Sequence, residues 1–538
     1  MSTTDRVLIL GLDGATWTVL DPARRRGWMP NLDALLARSA WGTLRSVVPP
    51  MTGAAWATMQ TGCDPQHHGI FDHRYFDRTS GQMKVNHSGR IRVPTLWQVL
   101  DRQGRSVVSL NLPGTYPPPK VRGVIVSGMD APHLDAALSG YPEFAERLRA
   151  EVPRYDLKYQ WKRVPESLDE FTENARQTVE GFLGRAEGGL LADRLVPDWS
   201  ALMVQFQNLD PFQHRAWRYL NVDETGIDNP PWNEQAGAVL RGLDQAIGWL
   251  CELAEKRGAA VLAVSDHGFG PCLGRLHVNR ILIDAGLASV PGLFGRVQRR
   301  ATQGADRLRL WDAKRHDRGA RSASFAASVR AQYPFDWKRT AAFAPHQDTA
   351  AMVYLNRSSG PLTTARQVDD ACKAAVQALA GASHPETGRP LFPMVFSTAE
   401  AYGIDPADQG YPDLIALPDD PYWVRTKLSP GAGWVEADAA LPGTHRLDGI
   451  YTLSAPGVAP GAGARAELRD VSPTVLALLG LAIPEPMRGQ PFAALPAGPV
   501  RRDDGSNLPN GPHRLPFEYS AEEQAIIEQR LSDLGYLE

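Results

Sequence analysis

Short apolar runs rich in β-branched residues recur along the chain and alternate with segments of helical periodicity. The runs are residues 7–10, 107–110, 124–127, 201–205, 260–265, 351–355 and 449–453. The helical segments between them include residues 31–40, 95–103 and 234–256. Continuous apolar strands that alternate with amphipathic helices predict an α/β fold, in which a mainly parallel sheet is sandwiched by helices.

The length of 538 residues suits one large catalytic domain with insertions. We predict such a domain over residues 1–495, with cap or lid insertions at about 130–197 and 291–335. The basic residues of 291–335 fit a solvated helix face or a mobile flap better than a lid that gathers phosphate. Residues 496–538 are expected to form a linker and a C-terminal helix that docks on the core through Ile526, Ile527, Leu531 and Leu534.

Charge and cysteine usage limit the partners and the compartment. The net charge is −3, so nothing indicates binding to a nucleic-acid polymer or to an anionic membrane surface. The four cysteines are widely spaced, which is typical of structural thiols in a reducing compartment. We find no signal-peptide pattern and no apolar window near the roughly 20 residues of a membrane span. The prediction is a cytoplasmic protein without a membrane partner, and the oligomeric state cannot be predicted.

Aspartates follow three of the apolar runs. Asp13, Asp210 and Asp266 each stand just after a run, and reactive groups of α/β folds gather beyond the carboxyl ends of strands. His214 lies four residues after Asp210, so one helical turn would bring both side chains to the same cation. His267 follows Asp266 directly and precedes a glycine that permits a sharp turn. Each of these residues alone also fits a turn, capping or core role.

Adding His445, in Gly-Thr-His-Arg, gives a set of three aspartates and three histidines. Carboxylates combined with imidazoles suit zinc and similar first-row cations better than magnesium or calcium. We therefore predict two divalent metal ions, with zinc as the first choice and other first-row cations as alternatives. Two cations about 3.5–4 Å apart can hold both the entering and the leaving oxygen of an in-line displacement at phosphorus.

Thr52 is the candidate nucleophile. Pro49 and Pro50 stiffen the chain before it, Gly53 follows, and residues 54–60 have a helical pattern. A hydroxyl at a helix N-terminus would place backbone N–H groups on an incoming phosphate. A bound metal lowers the pKa of the hydroxyl, so Thr52 could attack without a histidine base and would itself be a metal ligand. Taken alone, Thr52 would instead be interpreted as a plain N-cap.

The order Asp, Thr, Asp-x3-His, Asp-His, His resembles that of the alkaline phosphatase superfamily, in particular its type I phosphodiesterase/nucleotide pyrophosphatase branch. The likeness covers most of the chain, including VLILGLDGATW near the start and LRDVSPTVLALLGLAIPEPMRGQPF near the end. It implies an alkaline phosphatase-like core and a metal-dependent phosphoric ester hydrolase with a phosphothreonine intermediate on Thr52. It also implies two zinc sites, one formed by Asp210, His214 and His445 and the other by Asp13, Asp266 and His267.

From this resemblance we predict a hydrolase, most simply a phosphodiesterase, that acts on a small-molecule phosphate ester. The alternatives are a phosphomonoesterase, a phosphotransferase or mutase that uses the same site, and a non-catalytic phosphate-binding relative. A sulfatase is disfavoured, because the segment from Thr52 to Trp56 lacks the C/S-x-P-S-R sequence of that class. His277 and Asn279 follow the Asp-His segment and are candidate substrate-binding residues, although polar loop residues near a site are more often structural.

Overall fold

The computed structural model describes residues 3–141, 143–157, 161–220, 229–291, 329–345, 349–358, 360–419, 422–428, 432–437, 442–504 and 517–534. They divide into two compact units. Unit 1 comprises Met1–His73, Val85–Pro271 and Ala440–Glu538, and unit 2 comprises Arg74–Lys84 and Cys272–Ala439. Most of the predicted basic segment (residues 292–328) and most of the predicted linker (505–516) lie outside the described residues.

The elements are numbered along the chain. The strands are β1 (Val7–Leu12), β2 (Ala40–Arg45), β3 (Arg74–Asp77), β4 (Gln82–Val85), β5 (Ser106–Leu112), β6 (Gly123–Ser127), β7 (Leu138–Gly140), β8 (Trp199–Phe206), β9 (Ala260–Val264), β10 (Gly268–Pro271), β11 (Gly274–His277), β12 (Ala342–Phe343), β13 (Ala351–Leu355), β14 (Met394–Ser397), β15 (Leu414–Leu417), β16 (Tyr422–Arg425), β17 (Val435–Ala437), β18 (Gly443–Arg446), β19 (Asp448–Ser454), β20 (Gly461–Ala462), β21 (Ala466–Glu467), β22 (Ile483–Pro484) and β23 (Arg502–Asp503). The helices are α1 (Trp17–Arg25), α2 (Pro30–Leu36), α3 (Thr52–Thr61), α4 (Pro65–His68), α5 (Leu96–Arg102), α6 (Phe144–Glu151), α7 (Leu168–Leu195), α8 (Leu209–Ala216), α9 (Pro230–Arg257), α10 (Val278–Asp284), α11 (Val329–Gln332), α12 (Ala365–Ala380), α13 (Thr398–Tyr402), α14 (Pro406–Gln409), α15 (Val471–Leu478) and α16 (Ala521–Leu534).

Unit 1 is organised around a ten-stranded sheet with the strand order β20-β2-β19-β9-β1-β8-β5-β6-β7, in which β21 also pairs with β2. The five central strands, from β9 to β6, run parallel to one another. Strand β19 is antiparallel to both of its neighbours, and β7 is antiparallel to β6. The predicted α/β class with a mainly parallel sheet is therefore confirmed.

The two faces of this sheet form separate apolar cores, because successive residues of a strand point to opposite faces. In β1, Leu8 and Leu10 belong to one cluster, which also contains residues of α1, α2, α7 and α9. Val7 and Ile9 belong to the other cluster, with residues of α3, α5 and α15. Helices therefore cover both faces, which explains why the central strands are continuously apolar rather than alternating.

The long helix α7 lies within residues 130–197, where a cap or lid insertion was predicted. Its buried side chains, among them Phe182 and Leu191, belong to the same cluster as residues of β8 and α9. Part of this segment thus covers the central sheet. The predicted cap and lid roles and the domain bounds stay predictions.

Unit 2 contains a four-stranded sheet in the order β12-β13-β15-β14, whose pairings are antiparallel. A three-stranded sheet has the order β16-β11-β17. The hairpin of β3 and β4 belongs to this unit up to Lys84. Among the described residues of the whole chain, no helix is both long enough and apolar enough to cross a membrane.

Candidate metal centre

All seven predicted metal and nucleophile residues lie in unit 1, most of them at strand ends. Strands β9, β1 and β8 are parallel neighbours, so their carboxyl ends share one edge of the sheet. The residues at or near this edge are Asp13 after β1, Asp210 and His214 in α8 after β8, and Asp266 and His267 after β9. Thr52 begins α3, and His445 lies in β18, opposite Phe269 of the antiparallel partner β10.

The first cluster consists of Asp210, His214 and His445. The Oδ1 atom of Asp210 lies 3.0 Å from Nε2 of His445 and 3.5 Å from Nε2 of His214. One donor atom from each residue falls within 4.8 Å of the others, and all three residues are buried. The helical spacing of Asp210 and His214 in α8 brings these two side chains together, as their four-residue separation predicts.

The second cluster consists of Asp13, Asp266 and His267, which are fully buried. Nε2 of His267 lies 3.3 Å from Oδ2 of Asp266 and 3.6 Å from Oδ1 of Asp13. The same Nε2 is 4.0 Å from Oδ1 of Asp210, so the two clusters adjoin. This grouping matches the division into two sites that the family resemblance implies.

The tautomers of the histidines favour cation binding. Nδ1 of His214, His267 and His445 lies 2.8–3.0 Å from the carbonyl oxygens of Gly443, Gly268 and Pro50, respectively. A carbonyl can only accept, so each Nδ1 donates its proton and each Nε2 of a neutral ring keeps a lone pair. The Nε2 atoms of His214 and His445 then face each other at 3.0 Å, and a cation would relieve the repulsion between the two lone pairs.

The environment of the carboxylates also favours cation binding. Burial, together with the charge of Asp210, raises the pKa of Asp13 well above its usual value, and burial with the charge of Asp13 does the same for the pKa of Asp266. Oδ1 of Asp13 and Oδ2 of Asp266 have no hydrogen-bond partner among the described residues. Burial lowers the pKa of His445 to about 3, which keeps its ring neutral. The donor set therefore fits divalent cations.

Thr52 is the first residue of α3, whereas Met51 occupies the N-cap position without a side-chain cap. The Thr52 hydroxyl is therefore not used as a plain N-cap. Its Oγ1 lies 3.3 Å from Nε2 of His267, and the residue is 1% exposed. The backbone N–H groups of the first helical turn have no partner within the helix and are oriented to bind an anion.

Several supporting residues were not predicted from the sequence. Oδ2 of Asp13 accepts hydrogen bonds from Nε1 of Trp56 at 3.1 Å and from Nε2 of Gln205 at 2.6 Å. A Cβ at Gly11 would lie 3.0 Å from the Trp56 ring and 3.1 Å from Cγ of Gln205. Gly11 thus leaves the space that these two side chains occupy. In the sequence, the glycine before Leu12 and Asp13 indicates that other groups could approach the backbone closely here, but it does not show which side chains do so.

His73 is a second residue that the sequence analysis missed. Its charge lowers the pKa of both His267 and His445, so it stands close to the candidate site. A Cβ at Gly53 would lie 2.9 Å from the backbone of both Asp72 and His73, so Gly53 allows this segment to approach the start of α3 closely.

Replacing Trp56 with Phe is expected to weaken metal binding by about 10–100-fold, because it removes one of the two donors that orient Asp13. The ring keeps most of its packing. A chelator-competition titration measures the effect. Trp97→Phe is the matched control, since Trp97 is equally buried and its Nε1 has no hydrogen-bond partner among the described residues. Equal affinities in the two variants would contradict the orienting role.

The candidate substrate-binding residues His277 and Asn279 lie in unit 2, with their side chains bonded inside that unit. Nε2 of His277 is 2.8 Å from Oε2 of Glu436. Nδ2 of Asn279 donates to the carbonyl oxygens of Ala344 and Thr426, and its Oδ1 accepts from the N–H of Ala344. These bonds fit a structural role for Asn279, and a substrate contact stays a prediction for both residues.

Comparisons with known proteins identify the family and the fold of this chain. A search of curated protein sequences finds no match. Phosphonoacetate hydrolase from Sinorhizobium meliloti 1021, in complex with phosphonoformate, is a similar solved structure, with a TM-score of 0.53 and 15% identity over 89% of this chain and 99% of that one. Murine ectonucleotide pyrophosphatase/phosphodiesterase 5 has a TM-score of 0.48 and 14% identity over 92% and 97% of the two chains. The first likeness shows a shared fold.

The sequence profile described as type I phosphodiesterase/nucleotide pyrophosphatase matches residues 7–445. This range contains the six residues of the two clusters and Thr52, and the family implies divalent metal ions. Because the match covers most of its length, the chain belongs to the type I phosphodiesterase/nucleotide pyrophosphatase family of phosphoester hydrolases.

Proposed function

We propose that this protein is a two-metal phosphodiesterase that cleaves a small phosphodiester through a phosphothreonine at Thr52. The observation that carries this proposal is the Thr52 hydroxyl beside two adjoining clusters of three metal-binding side chains each. The residues that would hold one cation are Asp210, His214 and His445. The residues that would hold the other are Asp13, Asp266 and His267, with Thr52 as an additional ligand.

When bound, the two cations would neutralise the phosphate oxygens and lower the pKa of a coordinated hydroxyl. Oγ1 of Thr52 attacks phosphorus in line, a bond from phosphorus to Thr52 forms, and the bond to the leaving oxygen breaks. The product is an alcohol or phenol and a phosphothreonine. Water then attacks phosphorus from the side that the first leaving group vacated, opposite the bond to Thr52, so that this bond breaks, the threonine hydroxyl regains its proton and a phosphate monoester is released.

The backbone at the start of α3 contributes to the same step. Its N–H groups at Thr52 and Gly53, which have no partner within the helix, can hold an equatorial oxygen of the phosphate, where charge grows in the transition state. The buried surroundings strengthen these contacts, because Thr52 and the six metal-binding residues are at most 5% exposed.

The charge balance favours a diester. While the Thr52 hydroxyl is protonated, the three carboxylates and two divalent cations together carry a net charge of one positive unit, which a diester monoanion neutralises. A monoester dianion would leave an excess negative charge in a buried site. The identity of the metal as zinc and the cytoplasmic location both remain parts of the proposal.

A substrate panel on protein loaded with zinc, or with another first-row cation, tests the proposed activity. The panel comprises bis(p-nitrophenyl) phosphate, p-nitrophenyl phosphate, p-nitrophenyl sulfate, a nucleoside diphosphate and phosphonoacetate. We expect kcat/KM for the diester to exceed that for the monoester by at least about tenfold, or roughly 1.4 kcal/mol in transition-state binding. Preference for the monoester would make the protein a phosphomonoesterase, and a lack of turnover with every metal would indicate a non-catalytic relative.

A further inference from the structure

A small cavity lies beside the first turns of α3, within unit 1. Its volume is about 30 Å³, which is room for about two water molecules. Its wall on the side of α3 includes Gly53 and Ala57, and the facing wall includes Ile527 and Leu531 of α16. The lining is mainly apolar, so a small organic group would be accepted more readily than an ion.

The cavity begins one residue from the proposed nucleophile along α3. Gly53 follows the proposed nucleophile directly and lines the cavity. His73 lines it too, and its backbone nitrogen would lie 2.9 Å from a Cβ at Gly53, so this segment packs against the start of α3. A substituent on a phosphorus atom held at Thr52 would therefore have this cavity within reach.

The C-terminal segment that contributes Ile527 and Leu531 to the cavity lining is held by specific contacts. The Tyr519 ring stacks on that of Tyr116 at 5.6 Å, and its hydroxyl donates to the carbonyl of Asp130 at 2.9 Å. Nη1 and Nη2 of Arg530 donate to the carbonyl oxygens of Met129 and Pro132 at 3.1 and 2.7 Å. These carbonyls follow β6, so α16 lies at the edge of the sheet that carries the metal clusters.

The helix orients the two apolar residues toward the core. Ile527 and Leu531 are one helical turn apart and are 2% and 1% exposed, whereas Ile526 is 36% exposed. Asp130 also lines the cavity, and its Oδ1 has no hydrogen-bond partner among the described residues. A hydroxyl or amine at the end of a short substituent would find an acceptor there.

We propose that this cavity receives the substituent that stays on phosphorus when the leaving group departs, and that Ile527 and Leu531 limit the size of that substituent. The inference rests on the proposed phosphodiesterase function. It assigns to α16 a role in substrate selection, and it assigns to the protein a diester with one small substituent of one or two heavy atoms besides its oxygen.

The test compares methyl p-nitrophenyl phosphate with butyl p-nitrophenyl phosphate on the metal-loaded, full-length protein. The wild type is expected to prefer the methyl ester. Ile527→Ala and Leu531→Ala remove side-chain carbons from the wall, so the butyl-to-methyl ratio of kcat/KM should rise by about tenfold in each, the size of effect typical of methylene groups in a pocket. A purely structural role would lower kcat/KM for both esters equally.

Ile526→Ala is the matched control, because the same truncation at this exposed neighbour should leave the ratio unchanged. Ile527→Val, a smaller change, should shift the ratio in the same direction if the alanine variants fail to fold. The cavity assignment would be overturned if the wild type showed no preference between the esters, or if all three wall variants had butyl-to-methyl ratios within twofold of the wild type. In either case, turnover of the methyl ester would still uphold the proposed function. A wild type inactive on both esters overturns the proposed function, and this inference with it.

Discussion

Thr52→Ala is expected to reduce turnover of bis(p-nitrophenyl) phosphate by about 10⁴-fold or more, the scale seen when a catalytic nucleophile is removed. The substitution deletes the oxygen that attacks phosphorus and leaves each metal cluster with its three buried donors. We therefore expect two bound cations to remain. Steady-state kinetics together with metal analysis of the same sample measures both effects.

The prediction depends on the side-chain oxygen that attacks phosphorus, so Thr52→Ser, which keeps this oxygen, is the matched control. Serine keeps an oxygen at the start of α3 and should retain much more activity than alanine. Substrate incubation followed by rapid acid quenching should also leave a phosphoryl group on the wild-type threonine and on the serine variant. Wild-type turnover by the alanine variant would show that another group attacks phosphorus.

Removing one ligand from either cluster is expected to remove one cation. His445→Ala deletes one of the three donors of the first cluster, and Asp266→Asn weakens one of the three donors of the second. A bound cation supplies several kcal/mol of transition-state stabilisation, so kcat/KM should fall by about 10³-fold in each variant. Elemental analysis after loading with zinc should find one equivalent instead of two.

His277→Ala is the control for this experiment, because His277 lies in unit 2 and pairs with Glu436. The His277→Ala protein should keep both cations. If His445→Ala and Asp266→Asn also retain two equivalents with unchanged affinity, the two clusters are not the metal sites.

After metal has been removed with a chelator, the stability of the protein should depend on pH through the carboxylates of the second cluster. Burial and neighbouring carboxylates raise the pKa of Asp13 and Asp266, so without metal the folded state keeps protons that the unfolded chain releases. The stability from these groups is full below the unfolded pKa of about 4 and is lost as the pH rises toward the raised pKa. Chelated Asp266→Asn should therefore lose less stability between pH 4 and pH 7 than chelated wild type, as thermal unfolding would measure.

Local pattern was sufficient for the central strands and for most of the site. The apolar run at 7–10 became β1 (Val7–Leu12), the run at 201–205 became β8 (Trp199–Phe206), and the run at 260–265 became β9 (Ala260–Val264). Asp13 was predicted at a strand end because a buried parallel strand needs continuous apolar side chains and stops where polar ones begin. Strands β1 and β8 extend one or two residues past their apolar runs, since they pair with neighbouring strands there, whereas β9 ends one residue before the end of its run.

The sequence by itself determined the fold class and the pairing of Asp210 with His214, since these follow from the spacing of residues near one another in the chain. The seven candidate residues as a set came from their resemblance to the order of the family's motif. Only the tertiary structure decided that His445 faces Phe269 across an antiparallel pair and that Trp56 and Gln205 orient Asp13. It also decided that Ile527 and Leu531 line a cavity that Gly53 lines as well. The physical reason is that contacts between residues far apart in the chain depend on the packing of whole elements, which leaves no periodic trace in the sequence.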